Sequence, residues 1–154
     1  MTRDDLLRLI DQAAAEDWQI LRLRQELTEL PPEIGQLTSL QTLHLVYNQL
    51  SRLPPEIGQL TNLKSLSLGS NQLSRLPPEI GQLTSLKSLD LFGNQLSHLP
   101  TAIRQLIKLE ELDLQGNPIP LPHKFKAVCQ STSNIDEVKE ILDFYFQTLD
   151  LNKS

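Results

Sequence analysis

Cysteine is all but missing from this chain. Cys129 stands alone among 154 residues, so no intramolecular disulfide can form, and the paired-cysteine frameworks of small secreted domains are ruled out. Aromatic residues are scarce as well, at 5%, which points to a core of aliphatic side chains and not of large rings. There is no basic excess. The 14 Lys and Arg against 19 Asp and Glu leave a net charge of −5, and neither nucleic acid nor an anionic membrane surface is an expected partner of such a chain. No apolar run approaches the roughly 18 residues of a membrane span. The opening MTRDDLLRLIDQAAAED carries two early acids and lacks an apolar stretch of signal-peptide length. These absences together predict a cytoplasmic protein of one domain.

What the chain has in quantity is repetition. SRLPPEIGQLT occupies residues 51–61 and recurs letter for letter at 74–84, a period of 23. Stepping by that period from Leu40 reaches Leu63, Leu86 and Leu109, each opening a unit LxxLxLxxNxL. The Leu pairs are Leu43/Leu45, Leu66/Leu68, Leu89/Leu91 and Leu112/Leu114, and the Asn column is Asn48, Asn71, Asn94 and Asn117. A partial unit precedes them, with Leu21/Leu23 as its pair, Trp18 in the place of Leu40, and no Asn. Units of 20 to 29 residues with this spacing resemble the leucine-rich repeat pattern. The resemblance covers residues 18 to 121 and implies an α/β fold, a short right-handed horseshoe in which about five parallel strands form the concave wall. Residues 1–17 then form an N-terminal capping helix and 122–154 a C-terminal helical cap or linker, because a solenoid must cover its open ends.

Several local expectations follow from residue types. Thr2 and Asp5 have capping-box spacing, and Leu6, Leu9, Ile10, Ala13 and Ala14 share one helical face. Prolines suit the first turn of the short helix in LPPEIGQL, with Gly58 and Gly81 expected to limit its length. The Asn column is expected to bond turn backbone and to hold no ligand. Pro118, Pro120 and Pro122 end the repeats. A short helix near 123–130 and a longer one from Ile135 to about Leu149 follow, the latter capped by Ser133 or Asn134. Phe144 and Phe146 fall partly outside its stripe, which predicts an apolar strip open to another domain or a second copy.

GNPIPLP, a polar link and ILDFYFQ, together with the opening LLRLIDQAAAEDWQILRL, resemble the repeat array of bacterial Roco proteins. That resemblance implies an alternative role, the regulatory or spacer arm of a larger GTPase attached through the last helix. No GxxxxGK[ST] occurs in the chain, so no nucleotide function is carried over and no cofactor is expected.

The register lines up outward side chains on adjacent strands about 4.8 Å apart. Before the Leu pair the column reads Ile20, Thr42, Ser65, Ser88, Glu111; between the pair, Arg22, His44, Ser67, Asp90, Asp113; after it, Arg24, Val46, Gly69, Phe92, Gln115. His44, Ser67 and Asp90 contain the residue types of a catalytic triad in the wrong order, since Ser67 separates the imidazole from the acid by two strand spacings. Glu110, Glu111 and Asp113 read as a hydrated acidic patch. His123 and Cys129 make one pair where zinc needs three or four ligands, so no metal is expected. The chain is read as a non-enzymatic module that binds a protein or peptide on the concave wall and adjoining loops. The expected contact residues are Arg22, Arg24, His44, Val46, Tyr47, Ser67, Asp90, Phe92, Glu111 and Asp113, with Tyr47 and Phe92 as anchors beside a shallow gap over Ser67 and Gly69.

Overall fold

The computed structural model describes residues 1–24, 26–122, 125 and 135–151. Helix α1 spans Arg3–Ala15 and begins in the expected capping box: Asp5 N–H donates to Thr2 Oγ1 at 3.1 Å and Thr2 N–H to Asp5 Oδ2 at 3.0 Å. The Thr2 hydroxyl, which donates to Asp5 Oδ2 at 2.7 Å, and then Thr2 N–H hold the Asp5 carboxyl below its ordinary pKa. The helix closes on Asp17, whose φ of 51° turns the chain so that Trp18 N–H reaches Ala13 O at 2.9 Å, a left-handed stop more often filled by glycine. Leu6, Ile10 and Ala13 are buried on the core side, with Leu9, Ala14 and Trp18 packed beside them.

Five strands follow: β1 (Ile20–Arg22), β2 (Thr42–His44), β3 (Ser65–Ser67), β4 (Ser88–Asp90) and β5 (Glu111–Asp113). They form one parallel sheet in sequence order, with Leu21, Leu43, Leu66, Leu89 and Leu112 in register. Alternation turns the leucines inward, and Leu43, Leu45, Leu66, Leu68 and Leu91 are fully buried. Each buried leucine contributes about 1.5–3 kcal/mol relative to exposure. Between coils the Asn column closes the turns. Asn71 donates through Nδ2 to Leu45 O and Leu68 O, both at 2.9 Å, and accepts from Leu50 N–H at 3.0 Å. Asn48, Asn94 and Asn117 repeat the arrangement, so the column bonds backbone as expected.

On the return side lie four 3₁₀ helices, η1 (Pro32–Gln36), η2 (Pro55–Gln59), η3 (Pro78–Gln82) and η4 (Thr101–Gln105). The glycines act there in a way other than expected: they permit close approach. A Cβ on Gly58 would stand 2.7 Å from Glu79 O and 2.6 Å from Gln82 Oε1 of the next coil, and Gly81 meets Ala102 O and Gln105 in the same way. The fourth coil carries Arg104 at this position, where among the described residues the C-terminal helix and not another 3₁₀ helix packs beside it. Arg104 instead pairs with Asp143 at 3.1 Å and lies over the Phe146 ring.

Helix α2 (Ile135–Leu151) covers that end with Val138, Ile141, Leu142, Tyr145 and Phe146. Tyr145 Oη accepts from the buried Leu99 N–H at 3.0 Å, which ties the helix to the fourth coil. This corrects the expected open aromatic strip. Phe146 is buried and packs edge-on against Tyr145, and Phe144 meets Phe125 at a tilt of 51° with ring centroids 4.8 Å apart. Both rings are consumed within the chain. The expected cap at Ser133 or Asn134, the pair His123 and Cys129, and the short helix near 123–130 apart from Phe125 lie outside the described residues.

Candidate functional site

The outward positions of the five strands make a continuous wall. Its middle column is fixed by strand register: Arg22 beside His44, His44 beside Ser67, Ser67 beside Asp90, Asp90 beside Asp113. Arg22, Arg24 and Glu111 are exposed, whereas His44, Val46, Ser67, Asp90 and Asp113 are half-buried by their neighbours. Two aromatic side chains stand clear of the wall, Tyr47 at 66% exposure and Phe92 at 46%. The wall thus brings the ten candidate residues onto one face, basic at β1 and acidic at β5.

Several polar groups on the wall are engaged within the chain. His44 Nδ1 lies 3.1 Å from Ser67 Oγ. Asp90 Oδ1 accepts from Phe92 N–H and Asp113 Oδ1 from Gln115 N–H, both at 2.9 Å, which locks the turn after each strand and leaves neither acid on the imidazole. The expected gap over Gly69 is filled: the Asp90 carboxylate covers it, close enough that a Cβ on Gly69 would meet Oδ2 at 2.8 Å. Arg24 lies over the Tyr47 ring, 5.3 Å from its centroid, a cation–π contact that steadies the most exposed aromatic.

The titratable groups feel the same polarity. Partial burial, then the charges of Arg22 and Arg24, hold the His44 pKa below its ordinary value. At the other end burial raises the Asp113 pKa, the bond from Gln115 opposes the rise, and Asp90 adds to it. Among the described residues no group of three His, Cys, Asp or Glu is placed to hold a metal ion. No described helix is long and apolar enough to cross a membrane.

Sequence reasoning missed three features. Tyr47 occupies a left-handed turn at φ 57°, in the column of Ser70, Gly93 and Gly116 at 54°, 63° and 71°. The signal was the pair of glycines two and three coils on, since glycine marks positions that favour positive φ. A polar rim flanks the wall, with Lys64 Nζ bonded to Gln41 Oε1 at 2.9 Å and Lys87 paired with Glu110 at 3.0 Å. On another side of the coils a groove of about 560 Å³ runs past Arg52, Arg75, Pro55 and Pro78, residues that read as framework because they recur.

A leucine-rich repeat family model matches residues 38–96 and again 61–119, more than half of the chain together. The chain belongs to the leucine-rich repeat family. A solved structure of a leucine-rich repeat protein from Leptospira interrogans is similar to it at 45% sequence identity and a TM-score of 0.69, over 80% of this chain. The chain spans about 30% of the length of that protein. No curated protein matches. Leucine-rich repeat domains are general protein-interaction modules, and the strand wall described above is the fold's parallel sheet in this member.

Proposed function

We propose that this leucine-rich repeat chain binds a protein or peptide partner on its strand wall. Tyr47 and Phe92 serve as anchors, Val46 and Ser67 lie between them, and the charged ends set the partner's direction: Arg22, Arg24 and His44 on one side, Asp90, Glu111 and Asp113 on the other. The observation that carries this reading is the exposure of Tyr47 and Phe92 on a face whose charges are segregated by sign. Large aromatics held in water at 66% and 46% exposure are the side chains that most often dominate an interface once desolvated. Segregated charge adds orientation and association rate more than affinity, so salt should slow binding. A cytoplasmic setting suits this role, and neither a cofactor nor a chemical step is part of it.

The regulatory-arm reading has less support. It needed an open apolar strip on the last helix, and Phe144 and Phe146 are both engaged within the chain. The deciding experiment is retrieval of a partner by the intact chain and by the combined variant Tyr47→Ala/Phe92→Ala, after the two melting curves have been shown to coincide. Loss of the partner supports the wall as the site. Undiminished retrieval moves the site to another surface.

A further inference from the structure

Resting on the strand wall as the binding face, we infer that the wall is self-complementary and that a second copy of this chain is a partner it fits, two-fold related with β1 over β5. The middle column reads cation, imidazole, hydroxyl, carboxylate, carboxylate from Arg22 to Asp113. Rotation by half a turn about an axis lying in the interface parallel to the strands keeps every column over itself and reverses the order of the coils. Arg22 then faces Asp113 of the second copy, His44 faces Asp90, and Ser67 lies on the axis opposite itself. The other in-plane axis would set Arg22 on Arg22 and Asp113 on Asp113, so charge selects one of the two arrangements.

Side-chain size fits the same arrangement. In the turn column Tyr47, the most exposed aromatic, comes opposite Gly93, which has no side chain, and Ser70 comes opposite Ser70. In the column after the Leu pair Phe92 comes opposite Val46, an apolar contact made twice by symmetry, and Arg24 opposite Gln115. Ile20, 49% exposed, comes opposite the stem of Glu111. Lys64 on the rim approaches its own copy near the axis, but its ammonium is drawn toward β2 by Gln41.

The size of the wall sets the strength. Four strand spacings of about 4.8 Å by six residues at about 3.3 Å give roughly 400 Å² on each copy, half of the roughly 800 Å² in a standard interface. The dimer is therefore of the small, transient class, and salt dissociates it because its specific contacts are charge pairs near the surface.

Sedimentation equilibrium of the full chain from micromolar to millimolar concentration, in low and high salt, tests this. Arg22→Glu alone and Asp113→Lys alone are each expected to weaken the dimer at least about tenfold by placing like charges together. The combined variant, in which the opposed pair regains opposite signs, is expected to recover to within about threefold of the original. If Asp113→Lys lowers the melting temperature, Asp113→Asn replaces it beside Arg22→Glu, keeping an oxygen to accept from Gln115 N–H and relieving the contact of two acids. A monomer at every concentration, a dimer indifferent to both single changes, or a combined variant no better than the single ones overturns the inference. Those results leave the wall as a binding face if Tyr47→Ala/Phe92→Ala still abolishes retrieval of another partner, and an unaffected retrieval would remove both readings.

Discussion

On the return side of the coils PPEIGQLT recurs nearly unchanged, whereas on the strand side no outward column keeps one residue through five coils. Both sides obey the same 23-residue period, so the difference lies in what each position touches. Gly58 on the return side is pressed between backbone and the Gln82 amide of the next coil, and any larger residue must push two coils apart. An outward side chain such as Ser67 is half-buried and meets its lateral neighbour His44 side chain to side chain. Stacking fixes one side and releases the other. A repeat protein can therefore change its recognition surface residue by residue without touching the packing that holds it together.

The largest departure from that division comes from the leucines shared by both sides. Leu68, fully buried, is expected to cost about 2–5 kcal/mol as Leu68→Ala, through lost transfer energy and the cavity left behind. Chemical denaturation measures this directly. Because each coil is held only by its neighbours, a single cooperative transition is expected to move as a whole. A loss under about 1 kcal/mol would mean that the coil had collapsed around the gap.

The comparison is sharpest between two glycines. Gly58→Ala is expected to cost about 1–3 kcal/mol, since its Cβ would meet a backbone carbonyl that cannot move alone. Gly69→Ala on the strand side would meet the Asp90 carboxylate first, the end of a side chain, and is expected to cost under about 1 kcal/mol. Equal losses at the two sites would break the distinction between a packed side and a free one.

How far the sequence reveals this molecule follows the same line. Register, strand count, the inward leucines and the Asn bonds were legible because they repeat, and repetition turns one inference into four. Gly58 and Gly81 were legible as special but not in their role, since the contact that demands them comes from a residue one full coil away. The last helix was misread at Phe146: an amphipathic stripe assumes one flat partner, and here the end of the solenoid and Arg104 receive a wider arc. On the wall the residues sharing a face were readable, but not that Asp90 folds over Gly69 and accepts a hydrogen bond from Phe92 N–H. Such side-chain choices depend on turn geometry that no outward column records.

A smaller effect separates shape from stability at the anchor. Tyr47 holds φ 57°, a conformation that costs a non-glycine residue about 1 kcal/mol or more. Tyr47→Gly is thus expected to leave the melting temperature unchanged or slightly raised while removing the anchor from the wall. A clear loss of stability would show that the Arg24 contact and the packing of the ring outweigh the backbone strain.

The smallest expected effect is electrical, and it probes the free side alone. The His44 pKa lies below its ordinary value of about 6.5 because of burial first, then Arg22, then Arg24. Between the folded and unfolded pKa values the unfolded chain holds more protons, so stability increases with pH across a window just under 6.5 and is lost as pH falls through the folded pKa. Arg22→Gln with Arg24→Gln removes the second and third causes but leaves the first, and the imidazole pKa is expected to move partway back toward 6.5. Following the imidazole resonances by NMR between pH 4 and 8 measures it in both chains. An unmoved titration would mean that water screens the basic end of the wall from its nearest neighbour, and a charge too weak to act across one strand spacing could not orient a partner.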